Sequence, residues 1–384
     1  MIRMFAGLLA ALAVGLAAPA QAQTAWDHVA RVVVIGDLHG DYAKFHDQLT
    51  QAGLINASDA WSGGKTHLVQ LGDVPDRAPD TRKILDLLIK LEPQARRAGG
   101  YVHALIGNHE AMNMEGDLRY TTPAEFAAFA DRQSSARRDA YYARVVEAMK
   151  ANPPAGGLPT FDEAFRAKFD AEHPLGWVEH RLAWSPTGIY GRWVVTHDAV
   201  IRIDDTLYLH GGIGPEFTGF DADTMNKAVV AALKHEPEVA GGPHDILWNE
   251  QGPLWYRGMA MNDEAAESAN VAAVLARHQV KRIVLGHTKR YPMVNARFDG
   301  GVILTDIAVR GGCSDPHGFL IKEGDTLTAV HRGHRLALGV SGAAREAYLA
   351  EIAALDKAAI PDATLAAKCG ATTLPSPDPG GTSQ

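Results

Sequence analysis

Arg31-Val32-Val33-Val34-Ile35-Gly36-Asp37-Leu38-His39-Gly40-Asp41 is the stretch that decides how this chain is read. An unbroken run of β-branched residues predicts a strand buried on both faces, as in parallel sheets. The run halts at a glycine and delivers an aspartate and a histidine two positions apart. The same event recurs where His67 to Leu71 meets Gly72-Asp73-Val74-Pro75-Asp76-Arg77, and where Tyr101 to Ile106 meets Gly107-Asn108-His109-Glu110. Helical spacing over Tyr42 to Gly53 and Thr81 to Leu91 separates these runs, so strand, loop, helix and strand alternate as in a βαβ layer.

Further along, strand signals vanish from Ala111 to Ser185. Thr122-Pro123-Ala124-Glu125 and Thr160-Phe161-Asp162-Glu163 read as capping boxes, with a break at Pro153-Pro154-Ala155-Gly156-Gly157. This predicts a helical insertion over 111–185. Val200 to Ile203 and Thr206 to Leu209 flank Asp204-Asp205 as a hairpin, and its second strand ends in His210-Gly211-Gly212. Asn262 to His278 reads as a helix, and Arg282 to Leu285 as a strand running into Gly286-His287-Thr288. Val302 to Thr305, Phe319 to Lys322 and Thr326 to Val330 add strands, and Gly342 to Ala359 a last helix.

Composition narrows the class of protein. The 384 residues are 46% hydrophobic and carry 37 Lys plus Arg against 45 Asp plus Glu, which fits a globular chain and argues against a nucleic-acid partner. Two cysteines, Cys313 and Cys369, exclude a disulfide framework or a thiolate cluster and leave their own pairing open. Arg3, the apolar run Phe5 to Ala18 and the small-x-small Ala20-Gln21-Ala22 read as a signal peptide over 1–22. The run falls short of the ~20 residues that span a bilayer. The sequence therefore predicts a periplasmic or secreted protein with no stable membrane anchor, a domain over 23–369, and a disordered Pro-, Gly- and Ser-rich tail over 370–384.

In open α/β sheets the loops at strand carboxyl ends share one rim, so distant residues converge there. Collecting them gives Asp37, His39, Asp73, Asn108, His210 and His287. Turns need Gly, Asn or Asp but not His, so a purely structural account of five such exits fails. Carboxylates, imidazoles and an amide suit Mn²⁺, Fe or Zn²⁺ better than Ca²⁺, which takes oxygen alone. Six ligands exceed the needs of one catalytic ion, which favours two divalent metal ions sharing a carboxylate. Such pairs sit ~3.5 to 4 Å apart and clamp an in-line displacement at phosphorus.

Gly36-Asp37-Leu38-His39-Gly40, Gly72-Asp73-x-x-Asp76-Arg77, Gly107-Asn108-His109-Glu110, His210-Gly211-Gly212 and Gly286-His287 resemble the calcineurin-like metallophosphoesterases. The Gly-Asn-His-Glu form points to the phosphoprotein phosphatase branch. The signal peptide, the insertion, Gly252-Pro253-Leu254-Trp255-Tyr256-Arg257-Gly258 and Gly286-His287-Thr288 are similar to the bacterial Shewanella-like protein phosphatases, with the likeness spanning Arg31 to Arg310. The resemblance implies an α/β fold: a β-sandwich flanked by helices, four-layer αββα, with the helical insertion as a lid. It implies that Asp37, His39 and Asp73 hold one metal and Asp73, Asn108, His210 and His287 the other. Arg77, Arg257 and Asn108 would bind the substrate phosphate, and His109, oriented by Asp76, would protonate the leaving group. Pro75 and Ala78 depart from the usual second motif; Ala78 replaces a glycine, which places the difference in the backbone path after Arg77.

What the resemblance implies is hydrolysis of a phosphorylated protein, peptide or small phosphoester by a hydroxide held between two ions, with phosphotyrosine preferred. The insertion carries Tyr120, Phe126, Phe129, Tyr141, Tyr142, Phe161, Phe165 and Phe169, which either form its own core or wall the cleft. The alternatives are a dinucleoside-polyphosphate or other phosphodiester hydrolase, and a non-catalytic metal or phosphate binder. Asp76, Arg77 and His109 argue against the binder, which has no use for a leaving-group acid.

Overall fold

The computed structural model describes residues 23–307 and 315–359; the leader, the tail, Cys313 and Cys369 lie outside them. The strands in chain order are β1 (Ala25–Trp26), β2 (Val32–Ile35), β3 (His67–Gln70), β4 (Tyr101–Ala104), β5 (Val200–Ile203), β6 (Thr206–Leu209), β7 (Arg282–Leu285), β8 (Asn295–Arg297), β9 (Val302–Leu304), β10 (Phe319–Glu323), β11 (Thr326–His331) and β12 (His334–Ala337). They form two sheets, ordered β12-β11-β10-β2-β3-β4 and β1-β5-β6-β7-β9-β8. β2, β3 and β4 run parallel in the first, and β6, β7 and β9 in the second.

Alternation along the strands explains the layering. Val32 and Val34 of β2 join Val69, Tyr208, Val284 and Ile303 in a core that contains residues of both sheets. Val33 and Ile35 point the other way, into a second core shared with helix residues such as Phe45, Leu88 and Val229. Each central strand is thus apolar on both faces, which is why it reads as a continuous run and not as alternation. Mixed α/β with two sheets flanked by helices is the architecture expected.

The helices of the first half are α1 (Tyr42–Gln51), α2 (Thr81–Arg97), α3 (Asn108–Glu115), α4 (Pro123–Phe129), α5 (Ser134–Ala151), α6 (Glu163–Glu172), α7 (Trp177–Trp184) and α8 (Ile189–Val194). Those of the second are α9 (Ala222–Leu233), α10 (Gly258–Met261), α11 (Glu264–His278) and α12 (Gly342–Ala359). α2 outruns its expected end at Leu91 and passes through Pro93, because Ala95 still has a fully buried place in the core. The strand-free stretch also extends beyond Ser185 to α8, which docks on α2 through Tyr190 Oη to Asp86 (2.9 Å) and Trp193 Nε1 to Glu92 (2.9 Å).

Both capping boxes need correction. Thr122 does accept from the Glu125 amide at 3.2 Å, but the Glu125 carboxylate turns inward to Thr81 and the Asp76 amide instead of back to its own helix. In the second, Asp162 and not Thr160 caps the helix, because its carboxylate accepts from the Phe165 amide at 2.9 Å.

Asn226 of α9 clamps the strand that leads into the hairpin carrying His210. Its Oδ1 accepts from the Ala199 and Val200 amides, both at 2.9 Å, and its Nδ2 donates to the Val200 carbonyl at 2.8 Å. Removing that side chain strands buried backbone groups. Asn226→Ala is expected to cost about 2 to 4 kcal/mol in urea unfolding; a loss under about 1 kcal/mol would show that water replaces the clamp.

Candidate metal centre and catalytic dyad

The strand exits converge as the sequence requires. The Leu38 and His39 amides both donate to the Asp73 carbonyl at 3.0 Å, and the Gly286 amide donates to the His210 carbonyl at 2.9 Å, so the loops are bonded to one another. The glycines before the site residues are packing necessities. A Cβ on Gly107 would stand 2.4 Å from Asp73 Oδ1, and one on Gly286 would stand 2.7 Å from Asp37 Oδ1. His39, Asp73, Asp76, Arg77 and His287 all have positive φ, strain at roughly 1 kcal/mol or more each that clusters at the site. Asp76 (φ 75°) and Arg77 (φ 68°) take the left-handed positions and Ala78 does not, so the backbone at Ala78 needs no glycine.

Hydrogen bonds to backbone carbonyls fix each imidazole so that its other nitrogen faces the centre. His39 Nδ1 bonds to the Pro75 carbonyl (3.1 Å), His210 Nδ1 to that of Leu71 (2.8 Å) and His287 Nε2 to that of Trp255 (3.2 Å). The nitrogens left over meet acceptors. His210 Nε2 lies 2.9 Å from Asn108 Oδ1, 3.1 Å from His287 Nδ1 and 3.2 Å from Asp73 Oδ1. His39 Nε2 is buried with no hydrogen-bond partner, 3.6 Å from Asp37 Oδ2 and 3.7 Å from Asp73 Oδ2. One imidazole nitrogen at His210 meets more acceptors than a single hydrogen can satisfy, and the buried His39 Nε2 meets none of its own, an arrangement that suits a cation. The donor set therefore fits a metal.

Asp73 turns one oxygen to each group. Oδ1 faces His210, Oδ2 faces His39, and two clusters of possible ligands, His39-Asp73-His109 and Asp73-His210-His287, share it. The charges respond as at a cation site. Burial opposes a positive charge on His210, yet the Asp73 and Asp37 carboxylates push it up to about 9. Burial and the neighbouring His210 push His287 down to about 3. Burial also opposes ionisation of Asp37 and Asp73, but the surrounding histidines hold both below the usual carboxylate range.

His109 belongs to a different device. Its Nδ1 lies 2.5 Å from Asp76 Oδ2, while its Nε2 faces the Arg77 guanidinium at 3.3 Å, a poor place for a metal ion. Burial works against its charge, but Asp73 and Asp76 raise its pKa above the ordinary value. Arg257 donates to the His287 carbonyl (3.0 Å) and the Thr288 hydroxyl (3.3 Å); burial lowers its pKa, and the nearby Arg77 adds to that. Asn108 sends its amide nitrogen toward Met112 Sδ (3.8 Å), which leaves its oxygen at the centre.

Sequence reasoning missed the supports. Glu110 accepts from the amides of Asp73 (2.9 Å), Val74 (2.8 Å) and Gly107 (2.8 Å), welding two motif loops; burial and the Asp73 charge push it up to about 7. Asp306, just past β9, is buried beside Asp37, and burial with that charge holds it well above the usual range. Asp76 is held by Thr121 Oγ1 (2.7 Å) and Asn113 Nδ2 (3.0 Å). Glu125 accepts from Thr81 Oγ1 (2.6 Å) and the Asp76 amide (3.3 Å). A glutamate three residues after the strand-exit glycine was the visible signal for Glu110; Asp306 and Thr121 carried none.

Fold and site together define a metal-dependent phosphatase. The calcineurin-like phosphoesterase model matches residues 30–291, and the chain belongs to that family. It is 31% identical over 311 residues to Shewanella-like protein phosphatase 2 of Arabidopsis thaliana, covering 76% of this chain and 75% of the relative. It is 30% identical to an uncharacterised protein of Schizosaccharomyces pombe, covering 79% and 81%. Among solved structures it is similar to a cold-active protein-tyrosine phosphatase of a psychrophilic Shewanella species, with TM-score 0.59, 26% identity and 82% of each chain covered.

Two outcomes follow from this geometry. Asp73→Ala removes the carboxylate that faces both His39 and His210, so metal analysis of dialysed protein is expected to find fewer ions per chain than in the parent; unchanged content would exclude Asp73 as a ligand. Glu125, pushed up to about 7 first by burial, is a group whose folded pKa exceeds its unfolded value. Its contribution to stability is complete below about pH 4.5 and is lost as pH rises through about 7. Glu125→Gln should therefore lose less stability between pH 5 and pH 8 than the parent does, and parallel losses would contradict the assignment.

Proposed function

We propose that the protein is an exported dimetal phosphoprotein phosphatase that prefers phosphotyrosine. The observation that carries the reading is Asp73, whose Oδ1 lies 3.2 Å from His210 Nε2 and whose Oδ2 lies 3.7 Å from both the buried, unpartnered His39 Nε2 and the imidazole of the His109–Asp76 dyad. Asp37, His39 and Asp73 would hold one ion and Asp73, Asn108, His210 and His287 the other. When bound, the ions supply a nucleophile at neutral pH and neutralise charge at phosphorus. Mn²⁺ suits this mixture of ligands, as do Fe and Zn²⁺.

The remaining work falls to the side chains. Arg77 and Arg257 offer guanidinium forks to the phosphoryl oxygens, a match of planar donors to a tetrahedral anion. His109, held at Nδ1 by Asp76 and favoured in its protonated form by Asp73 and Asp76, would donate a proton from Nε2 to the departing oxygen as the phosphorus–oxygen bond breaks. Thr121 and Asn113 saturate the Asp76 carboxylate, so the imidazole cannot swing. Burial of the dyad keeps competing water from it.

Phosphotyrosine preference is supported by the aromatic ring of Tyr120 beside His109 and by the tyrosine phosphatase among the similar solved structures. Export is supported by Arg3 and the apolar run before Ala20-Gln21-Ala22. Among the described residues no helix is long and apolar enough to cross a membrane.

Assayed with Mn²⁺ on matched peptides, the protein is expected to show a higher kcat/KM for phosphotyrosine than for phosphoserine, and no turnover in excess chelator. A phosphoserine preference would overturn the substrate reading, and turnover by demetallated protein the metal reading. His109→Asn should lower kcat by roughly 10²-fold or more, with a smaller loss on aryl phosphates whose leaving groups are already acidic. Equal losses across leaving groups would exclude proton donation by His109.

A further inference from the structure

Most aromatic residues of the insertion are already committed to packing. Phe126, Phe129 and Phe169 are buried, and His180 lies edge-on to the first two. Tyr141 stacks on Trp177 with ring centroids 5.1 Å apart, Tyr142 meets Phe169 edge-on at 5.1 Å, and Phe161 meets Phe165 at 5.1 Å. These rings form the insertion's own core. Tyr120 is different: it is 44% exposed, although His109 beside it is only 2% exposed.

Its surroundings are those of the catalytic dyad. The Tyr120 and His109 ring centroids are 5.1 Å apart at 39°, and the Arg77 guanidinium carbon lies 5.7 Å from the tyrosine ring. The backbone is pinned independently of the side chain. The Arg77 amide donates to the Tyr120 carbonyl at 3.1 Å, and the next residue, Thr121, bonds to Asp76 at 2.7 Å. The ring is therefore held between a phosphate-binding arginine and the leaving-group acid, with part of its surface left to solvent.

We infer that Tyr120 is the specificity-determining residue for the leaving group, selecting an aryl over an alkyl phosphoester by stacking; this rests on the phosphotyrosine reading above. The leaving oxygen takes its proton from His109 Nε2, so it has to lie against that imidazole. In a phosphotyrosine the aromatic ring is bonded directly to that oxygen, which brings its face within stacking range of Tyr120, since offset and tilted aromatic pairs are favourable at centroid separations of ~4.5 to 7 Å. A phosphoserine presents a single methylene at the same place and has no π face to offer. Tyr120 thus offers an aromatic face that an aryl leaving group can stack on and an alkyl one cannot.

The test compares the parent with Tyr120→Ala and Tyr120→Phe on matched phosphotyrosine and phosphoserine peptides, together with inhibition by phenylphosphonate and methylphosphonate. Tyr120→Ala is expected to lower the phosphotyrosine-to-phosphoserine ratio of kcat/KM by roughly three- to tenfold. It should weaken phenylphosphonate relative to methylphosphonate by a similar factor, and Tyr120→Phe should retain both ratios within about twofold, in keeping with the small worth of a hydroxyl that makes no stacking contact. Equal losses on both peptides with an unchanged phosphonate ratio would overturn the inference and assign Tyr120 to general support of the loop. If the parent shows no phosphotyrosine preference, the substrate reading fails by itself, and the phosphonate ratio still decides whether Tyr120 is an aryl contact.

Discussion

Everything at the site answers to one constraint: an imidazole nitrogen of His287, the amide oxygen of Asn108 and a carboxylate oxygen of Asp73 are pressed to within 3.2 Å of His210 Nε2. Such a cluster is unfavourable on its own in a dry interior. It becomes favourable only with positive charge at its centre. A proton on His210 supplies part of that charge, and the Asp73 and Asp37 carboxylates favour it against the cost of burial. A divalent cation supplies more, and the unpartnered His39 Nε2 on the other side of Asp73 repeats the demand.

The fold makes that crowding affordable by distributing it over two sheets. β2, β3 and β4 bring Asp37, His39, Asp73 and Asn108 from one side, and β6 and β7 bring His210 and His287 from the other. Since each strand is buried on both faces, none can shift to relieve the repulsion without breaking a core. Glu110, by taking three amides from two loops, transmits that rigidity to the turn where Asp73 sits. The insertion contributes at its first residues, where Thr121 and Glu125 reach back to the Asp76 loop, so the His109–Asp76 pair is positioned by a segment outside the two sheets.

The convergence of these side chains was legible because a β-branched run, a glycine and then a ligand-type residue form a local signal that repeats. The glycines were legible for the same reason, although their cause, a missing Cβ opposite Asp73 or Asp37, shows only in three dimensions. Glu125 was misread because a capping box and a buried brace share one sequence pattern, and only the position of Thr81, 44 residues away, separates them. Asp306 stayed hidden because it follows an ordinary strand end, Thr305, with no glycine before it. Of the aromatics in the insertion, sequence left open which face the site; packing assigns all but Tyr120 elsewhere.

If the crowded acceptors around Asp73 hold two cations, both ions should be visible by their scattering. Anomalous diffraction from crystals grown with Mn²⁺, collected on both sides of the manganese absorption edge, tests this most directly. Two peaks are expected, both in contact with Asp73, one against Asp37 and His39 and the other against Asn108, His210 and His287. A single peak would contradict the shared-carboxylate arrangement, and the absence of any peak, with His210 protonated and the acceptors unmoved, would contradict cation binding as a whole.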